Sequence, residues 1–246
     1  QKKSNAGLWM GVAVVIVLLC VIGSVVTLGG GAAAIAFFSS PTPIPAATTL
    51  PTATPLPTLP PTPQGQLLAD DFSEPGSGFA TASDADGSVV YTSGVLQMDV
   101  VTKGIEWFSP SDRVDAADVV IEVDVQQVSG PPMSEMAVIC RWQDSSNYTA
   151  FAVSGDGTFS IWQKRGGATT RFVDWTPAAA LTSGTGVAHR VRTICAGPRL
   201  RFEVDGFILR VETDPYPISG DIALMAGLRE EGQLTATFDN VRVTAP

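Results

Sequence analysis

Histidine occurs once, at position 189, and cysteine three times, at 20, 140 and 195. No C-x-x-C or Cys/His spacing of the zinc type is available, and any serine or cysteine triad would have to take His189 as its base. Acidic residues are absent before Asp70, and apart from Lys2 and Lys3 no charge of either sign precedes it. From Gln66 onward, 13 basic residues face 24 acidic ones, a net charge of about −11. This balance excludes the basic footprint that nucleic acid requires and argues against docking on anionic lipid. It leaves an acidic, soluble surface. No long segment with a 3.6-residue apolar period follows Gln66, so a helical fold is excluded for that part.

What fills the uncharged stretch 4–69 is an apolar run and then a proline-rich one. Residues 8–28 (LWMGVAVVIVLLCVIGSVVTL) supply about 20 apolar or small side chains, which at about 1.5 Å rise per residue match a hydrocarbon core of roughly 30 Å. They predict one membrane-spanning helix, with the lipid bilayer as partner and Trp9 and Phe37/Phe38 as interfacial anchors. Lys2 and Lys3 place the short segment 1–7 in the cytoplasm, so a single-pass protein of the cell membrane with an extracellular C-terminal domain is expected. A cleaved signal peptide with Ala34 and Ala36 at its cutting site is the alternative, but its apolar part would exceed the roughly 7–15 residues usual for such segments. Cys20 follows Leu19, not the small residue that lipid-modified cysteines follow. The chain starts with Gln, so a fragment or processed product is expected. After the small-residue exit that completes the anchor (8–38), the linker 39–65 carries the low-complexity run 41–63 (PTPIPAATTLPTATPLPTLPPTP). Proline there fixes φ and removes donors, so neither helix nor ladder can form, and the run would span on the order of 70 Å as extended chain. Its threonines are candidate O-glycan acceptors.

Residues 66–246 are enough for one domain with a sizeable core. Val119, Ile121, Val123 and Val125 alternate with Val120, Glu122, Asp124 and Gln126, and Leu200, Phe202 and Val204 alternate with Arg201, Glu203 and Asp205. This is the period of half-buried strands. Further strands are expected at 67–72, 88–91, 95–100, 135–143, 148–154, 158–164, 171–174, 189–196, 207–213, 221–228 and 234–243. Turn signals such as Gly155-Asp156-Gly157, Gly166-Gly167 and Asp205-Gly206 separate them. The pattern predicts an all-β, two-sheet antiparallel sandwich.

The blocks DDFSEPGSGF (70–79), VICRWQDSSNYTAFAVSGDGTFSIWQ (138–163), HRVRTICAGPRLRFEVDGFILRVETD (189–214), SGDIALMAG (219–227) and FDNVRV (238–243) resemble, in order, bacterial jelly-roll domains of the concanavalin A-like lectin/glucanase superfamily. They look most like the laminin-G-like and 3-keto-disaccharide-hydrolase-like ectodomains found beyond a membrane helix and a Pro/Thr linker. The resemblance implies a jelly roll; as a pointer to function it is weak, because the superfamily includes sugar binders, glycosidases and domains of unknown ligand. Similar ectodomains are in some cases joined to cytoplasmic receptor-like kinases, so an upstream kinase is among the partners the resemblance admits. Similar domains carry cysteines at matching CR and CAG positions, which implies a Cys140–Cys195 disulfide; two buried free thiols are the alternative. Closing that loop would stabilise by about 4 kcal/mol in the chain-entropy model.

Laminarinase-type glycosidases of this fold use a strand motif E-I-D-x-x-E, and 122–127 (EVDVQQ) comes near it. Gln127 stands where the acid/base carboxyl is needed, so Glu122 and Asp124 read as a solvated strand face and catalysis is not expected here. His189 reads as structural. A binding role would fall to Trp142, Tyr148 and Trp162 as stacking faces, with Arg141 and Asn147 as hydrogen-bond partners beside Gln143 and Asp144. Trp142 and Trp162 would face outward if Ile139 and Ile161 face inward; Trp107 and Trp175 are weaker candidates. Asp71 near the first strand and Asp239 near the last could approach each other and hold a structural calcium ion. The expectation is a non-catalytic extracellular recognition or sensor domain for carbohydrate or another surface polymer. The rivals are a glycosidase-like hydrolase and a structural subunit of an envelope assembly.

Overall fold

The computed structural model describes residues 65–246; the expected membrane span and the Pro/Thr linker before Gly65 lie outside the described residues. Among the described residues fifteen strands succeed one another, the first eight being β1 (Gln66–Asp70), β2 (Ala82–Asp84), β3 (Gly87–Thr92), β4 (Val95–Val100), β5 (Glu106–Pro110), β6 (Val119–Ser129), β7 (Ser134–Asp144) and β8 (Asn147–Ser154). The second half adds β9 (Thr158–Arg165), β10 (Ala168–Pro177), β11 (Ala188–Ala196), β12 (Arg199–Val204), β13 (Phe207–Thr213), β14 (Asp221–Leu228) and β15 (Leu234–Thr244). They form two antiparallel sheets. One has nine strands in the order β13-β12-β11-β6-β15-β4-β3-β2, with β1 also paired to β15. The other has six, in the order β10-β9-β8-β7-β14-β5. No described residue is helical.

The sheets meet face to face over one core. Ile121, Val123, Val125, Leu200, Phe202 and Val204 project from the nine-stranded sheet onto Met136, Val138, Phe151, Phe159, Ile161 and Leu224 of the other. The Phe202 ring meets the edges of Phe151 and Phe159 at centroid distances of 5.5 and 5.9 Å. The alternation of β6 and β12 is the imprint of this one-sided burial. Cys140 of β7 and Cys195 of β11 form a disulfide across a separation of 55 residues, stapling sheet to sheet.

Two of the irregularities in the ladders bear on the site and on the chain's path. In β7 the register shifts between Cys140 and Asp144 against β8, and again beside it against β14, and Arg141 takes φ 61°. This bulge adds one residue to the strand, so Ile139 and Trp142 share the outward face although they are three apart. Arg141 is turned inward. It is fully buried, donating from Nε to the Ala117 carbonyl (3.1 Å), from Nη2 to the Gly197 carbonyl (2.6 Å) and from Nη1 to Asp214 (3.0 Å). Gly220 lies against the same bulge, where a Cβ would come within 2.4 Å of the Trp142 carbonyl oxygen, so only glycine lets the loop before β14 approach. In β15, Asn240 (φ 51°) marks the place where the strand changes partner, from β4 at Leu234 to Phe238 to β1 at Val241 to Thr244.

Candidate functional site

The outward face of the six-stranded sheet is apolar. Reading across the strands, Ala223 lies opposite Ile139, Ile139 opposite Ala150, and Ala150 opposite Trp162; the next row holds Met225, Ala137, Ala152 and Ser160 in turn. Small residues leave space above the sheet, and rings fill it: Phe108, Trp142 and Tyr148 pack with centroid separations of 4.9 to 5.7 Å, and Trp162 and Trp175 at 6.3 Å. On a flat sheet β5 and β9 would stand four strand spacings apart, about 19 Å. Yet Lys164 Nζ of β9 donates to Glu106 Oε2 of β5 at 2.9 Å, and the Tyr148 hydroxyl lies 3.4 Å from the same oxygen. The sheet is therefore strongly coiled, and its two edges approach each other over the outward face.

Two hollows remain on this side. The larger, about 760 Å³, lies at the end near the bulge and is bordered by Trp142, Gln143, Pro110, Arg113, Asp112 and Asp221. Trp142 is half-buried and offers part of its ring to it. Asp221 accepts hydrogen bonds from the amides of Val114 (3.2 Å) and Ile222 (2.8 Å). Burial, with Asp112 and Asp115 nearby, raises its pKa all the same.

The smaller hollow, about 220 Å³, lies under the Lys164–Glu106 bridge, with Glu135, Trp162, Arg171 and Arg229 around it. Gly227 of β14 stands in register with Glu106 on one side and Glu135 on the other, and the Glu135 side chain crosses the space that a Cβ at 227 would need. Burial, and next the neighbouring Glu106 charge, push the Glu135 carboxyl up to about 7, against the pull of Arg229 at 4.0 Å. Arg229 is itself fixed, donating to the Met133 carbonyl (2.8 Å) and to the Ser154 hydroxyl (3.0 Å) while its guanidinium lies 3.7 Å from the centre of the Trp175 ring.

Of the residues expected from the sequence to bind, Trp142, Tyr148 and Trp162 all belong to this outward face, but Tyr148 is fully buried and Trp162 only 3% exposed. Ile139 faces outward, contrary to the premise that set the parity of Trp142; the bulge restores the outcome. Arg141 is committed to the fold and has no free donor edge at the surface. Asn147 sits in the β7–β8 hairpin, donating to Asp144 at 3.0 Å and accepting from the Gly166 amide at 2.9 Å. Trp175, the weaker candidate, is half-buried over Arg229. Glu106 and Glu135 were missed. They lie on different strands, so no spacing in the sequence could have joined them.

Elsewhere, Glu122 and Asp124 lie on the outward face of the nine-stranded sheet, while Gln127 is buried and donates to the Pro131 carbonyl at 2.9 Å. His189 is paired through Nδ1 to Asp205 at 2.7 Å. Asp71 is exposed and accepts from the Ser73 amide and hydroxyl, which hold its pKa below the usual value. Burial, and then the charges of Asp124 and Asp71, raise that of Asp239. Among the described residues no three His, Cys, Asp or Glu side chains are grouped to hold a metal ion.

No protein-family model matches the sequence, and no curated protein is significantly similar to it. Solved structures do match. A carbohydrate-binding module, CBM66 from Bacillus subtilis, superposes with a TM-score of 0.57 at 18% identity, covering 68% of this chain and 96% of that one. The Bacillus licheniformis β-glucanase gives 0.56 at 12%, covering 75% and 100%. The Crh5 transglycosylase, solved in complex with NAG, gives 0.53 at 15%, covering 74% and 86%. At such identities the likeness concerns the fold alone: the domain shares the two-sheet jelly-roll architecture of these structures.

Proposed function

We propose that the chain is a membrane-anchored extracellular recognition or sensor domain that binds carbohydrate or another surface polymer, without catalysis, in the hollow beside Trp142. The observation that carries this reading is the half-buried Trp142 ring, which lines with its exposed part a 760 Å³ hollow edged by Gln143, Arg113 and Asp112. A flat aromatic face with a few directional polar groups suits a sugar ring and its hydroxyls. The volume falls within the roughly 300–1,000 Å³ usual for small-ligand sites. Likeness to a carbohydrate-binding module supports the same choice. The acidic domain favours a neutral or cationic polymer over a polyanion.

The test is a glycan-array screen of the domain from Gln66 onward, repeated with Trp142→Ala. Binding that falls tenfold or more in the variant, about 1.4 kcal/mol or more, is the expected outcome. No glycan bound, or one bound equally by the variant, overturns it.

A second reading, hydrolysis of a glycoside, is favoured by one observation: Glu135, its carboxyl pushed up to about 7 by burial and so still partly protonated at neutrality, faces Glu106 across Gly227. Glu135 would protonate the leaving oxygen while Glu106 takes the proton of the attacking water. Release of reducing ends from oligosaccharides, lost in both Glu135→Gln and Glu106→Gln, would establish it. Binding without release would leave the recognition reading alone.

A further inference from the structure

Sheets protect their edges with short strands, bulges or proline, and most edges of this sandwich do so. Strand β2 has three residues, β1 has five with a register shift, β5 has five and ends on Pro110, and β10 is shifted twice and ends on Pro177. Strand β13 differs. It has seven residues, neither proline nor lysine, and its one register shift falls near the turn, leaving Arg210 to Thr213 regular against β12. It also carries three of the large exposed apolar side chains, Phe207 (65%), Ile208 (56%) and Val211 (44%), and borders a mixed hollow with Phe159, Phe172, Asp174 and Thr176.

We infer that β13 pairs antiparallel with β13 of a second copy, about a two-fold axis through Val211. The charges select both partner and register. With the axis at Val211, Arg210 of each copy lies opposite Glu212 of the other and the two exposed valines meet. An axis at Arg210 or at Glu212 would oppose like charges, and an axis between residues would set a charge against an apolar side chain. Within one copy Arg210 Nε and Glu212 Oε1 are already paired at 2.5 Å, with half of the Arg210 side chain exposed, so the pairing adds a partner to each charge without burying one alone.

The test uses the full chain with Cys20→Ser, in which Cys140 and Cys195 are bonded to each other. Val211→Cys then supplies a single free thiol next to its own copy, and a short bismaleimide should give a covalent dimer on a denaturing gel. Thr170→Cys, on the exposed β10 edge, should not. Adding Arg210→Glu to the Val211→Cys chain should cut the dimer yield several-fold, and adding Glu212→Arg to that chain should restore it. A chain that stays monomeric, cross-links equally through position 170, or is not restored by the double reversal overturns the proposal.

Discussion

On the nine-stranded sheet the outward side chains of β6 and β11 are Glu122, Asp124, Arg190 and Arg192, whereas the outward positions of β7, β8 and β9 in the other sheet hold Ala137, Ile139, Ala150, Ala152 and Trp162. The first set is a ladder of cross-strand pairs. Arg190 stands opposite Asp124 and reaches it at 3.1 Å, and Arg192 stands opposite Glu122 and reaches it at 3.0 Å. Arg192 also meets Glu203 of β12 at 3.2 Å. Glu203 is buried, but the other four charges remain about a third exposed, so water shares them. The second set is a minor core, closed from above by rings and by the Lys164–Glu106 bridge. One fold thus presents a solvated face that needs no ligand and a desolvated face in which a carboxyl such as Glu135 loses its ordinary acidity. Chemistry that depends on dehydration belongs to the second.

The contrast between the faces breaks first at Trp162. Because its ring is buried on the alanine rows, Trp162→Ala should cost about 3–5 kcal/mol of unfolding free energy, as a core truncation does, measured by chemical denaturation of the domain. A loss below about 1 kcal/mol would mean that the face is an open platform and not a second core.

Glu135 sharpens the contrast through pH. Its folded-state pKa is raised from 4.5 to about 7, so native protein holds a proton there that unfolded chain has released. The stability tied to this proton is complete below about 4.5 and is lost as pH rises through about 7. Glu135→Gln cannot lose it. Relative to wild type, the variant should gain on the order of 3 kcal/mol between pH 4 and pH 8, read as the difference between two denaturation series. Parallel series would place Glu135 in water.

Much of this contrast was legible in the sequence, and the part that was not has physical causes. Strands β6 and β12 announce themselves because they bury one face only, and the period of two survives. Strands β7 and β8 bury both faces, so MAVIC and AFAV read as strand but do not say which residues point outward. The bulge at Arg141 carries no glycine to mark its positive φ, and it inverted the parity on which Ile139 had been placed inward. Strand β5 was missed altogether: Trp107 and Phe108 stand side by side without alternation, and Pro110 comes soon after. With β5 went Glu106, and with Glu106 the carboxyl pair. The disulfide, by contrast, was implied by the resemblance, and the two sheets bring its halves together.

The smallest effect is expected on the charged face. Arg192→Ala removes contacts to both Glu122 and Glu203, yet each partner keeps another cation, Arg190 for Glu122 and Arg201 for Glu203. A third of the Arg192 side chain is in contact with solvent, which screens what is lost. The change in unfolding free energy should stay under about 1 kcal/mol and shrink further in about 0.5 M salt, where the Debye length falls below the span of the ladder. The same salt should leave the loss caused by Trp162→Ala unreduced, because dispersion and burial carry no charge to screen. If salt weakened both variants' effects alike, the desolvated face would owe its stability to the Lys164–Glu106 bridge more than to the rings beneath it.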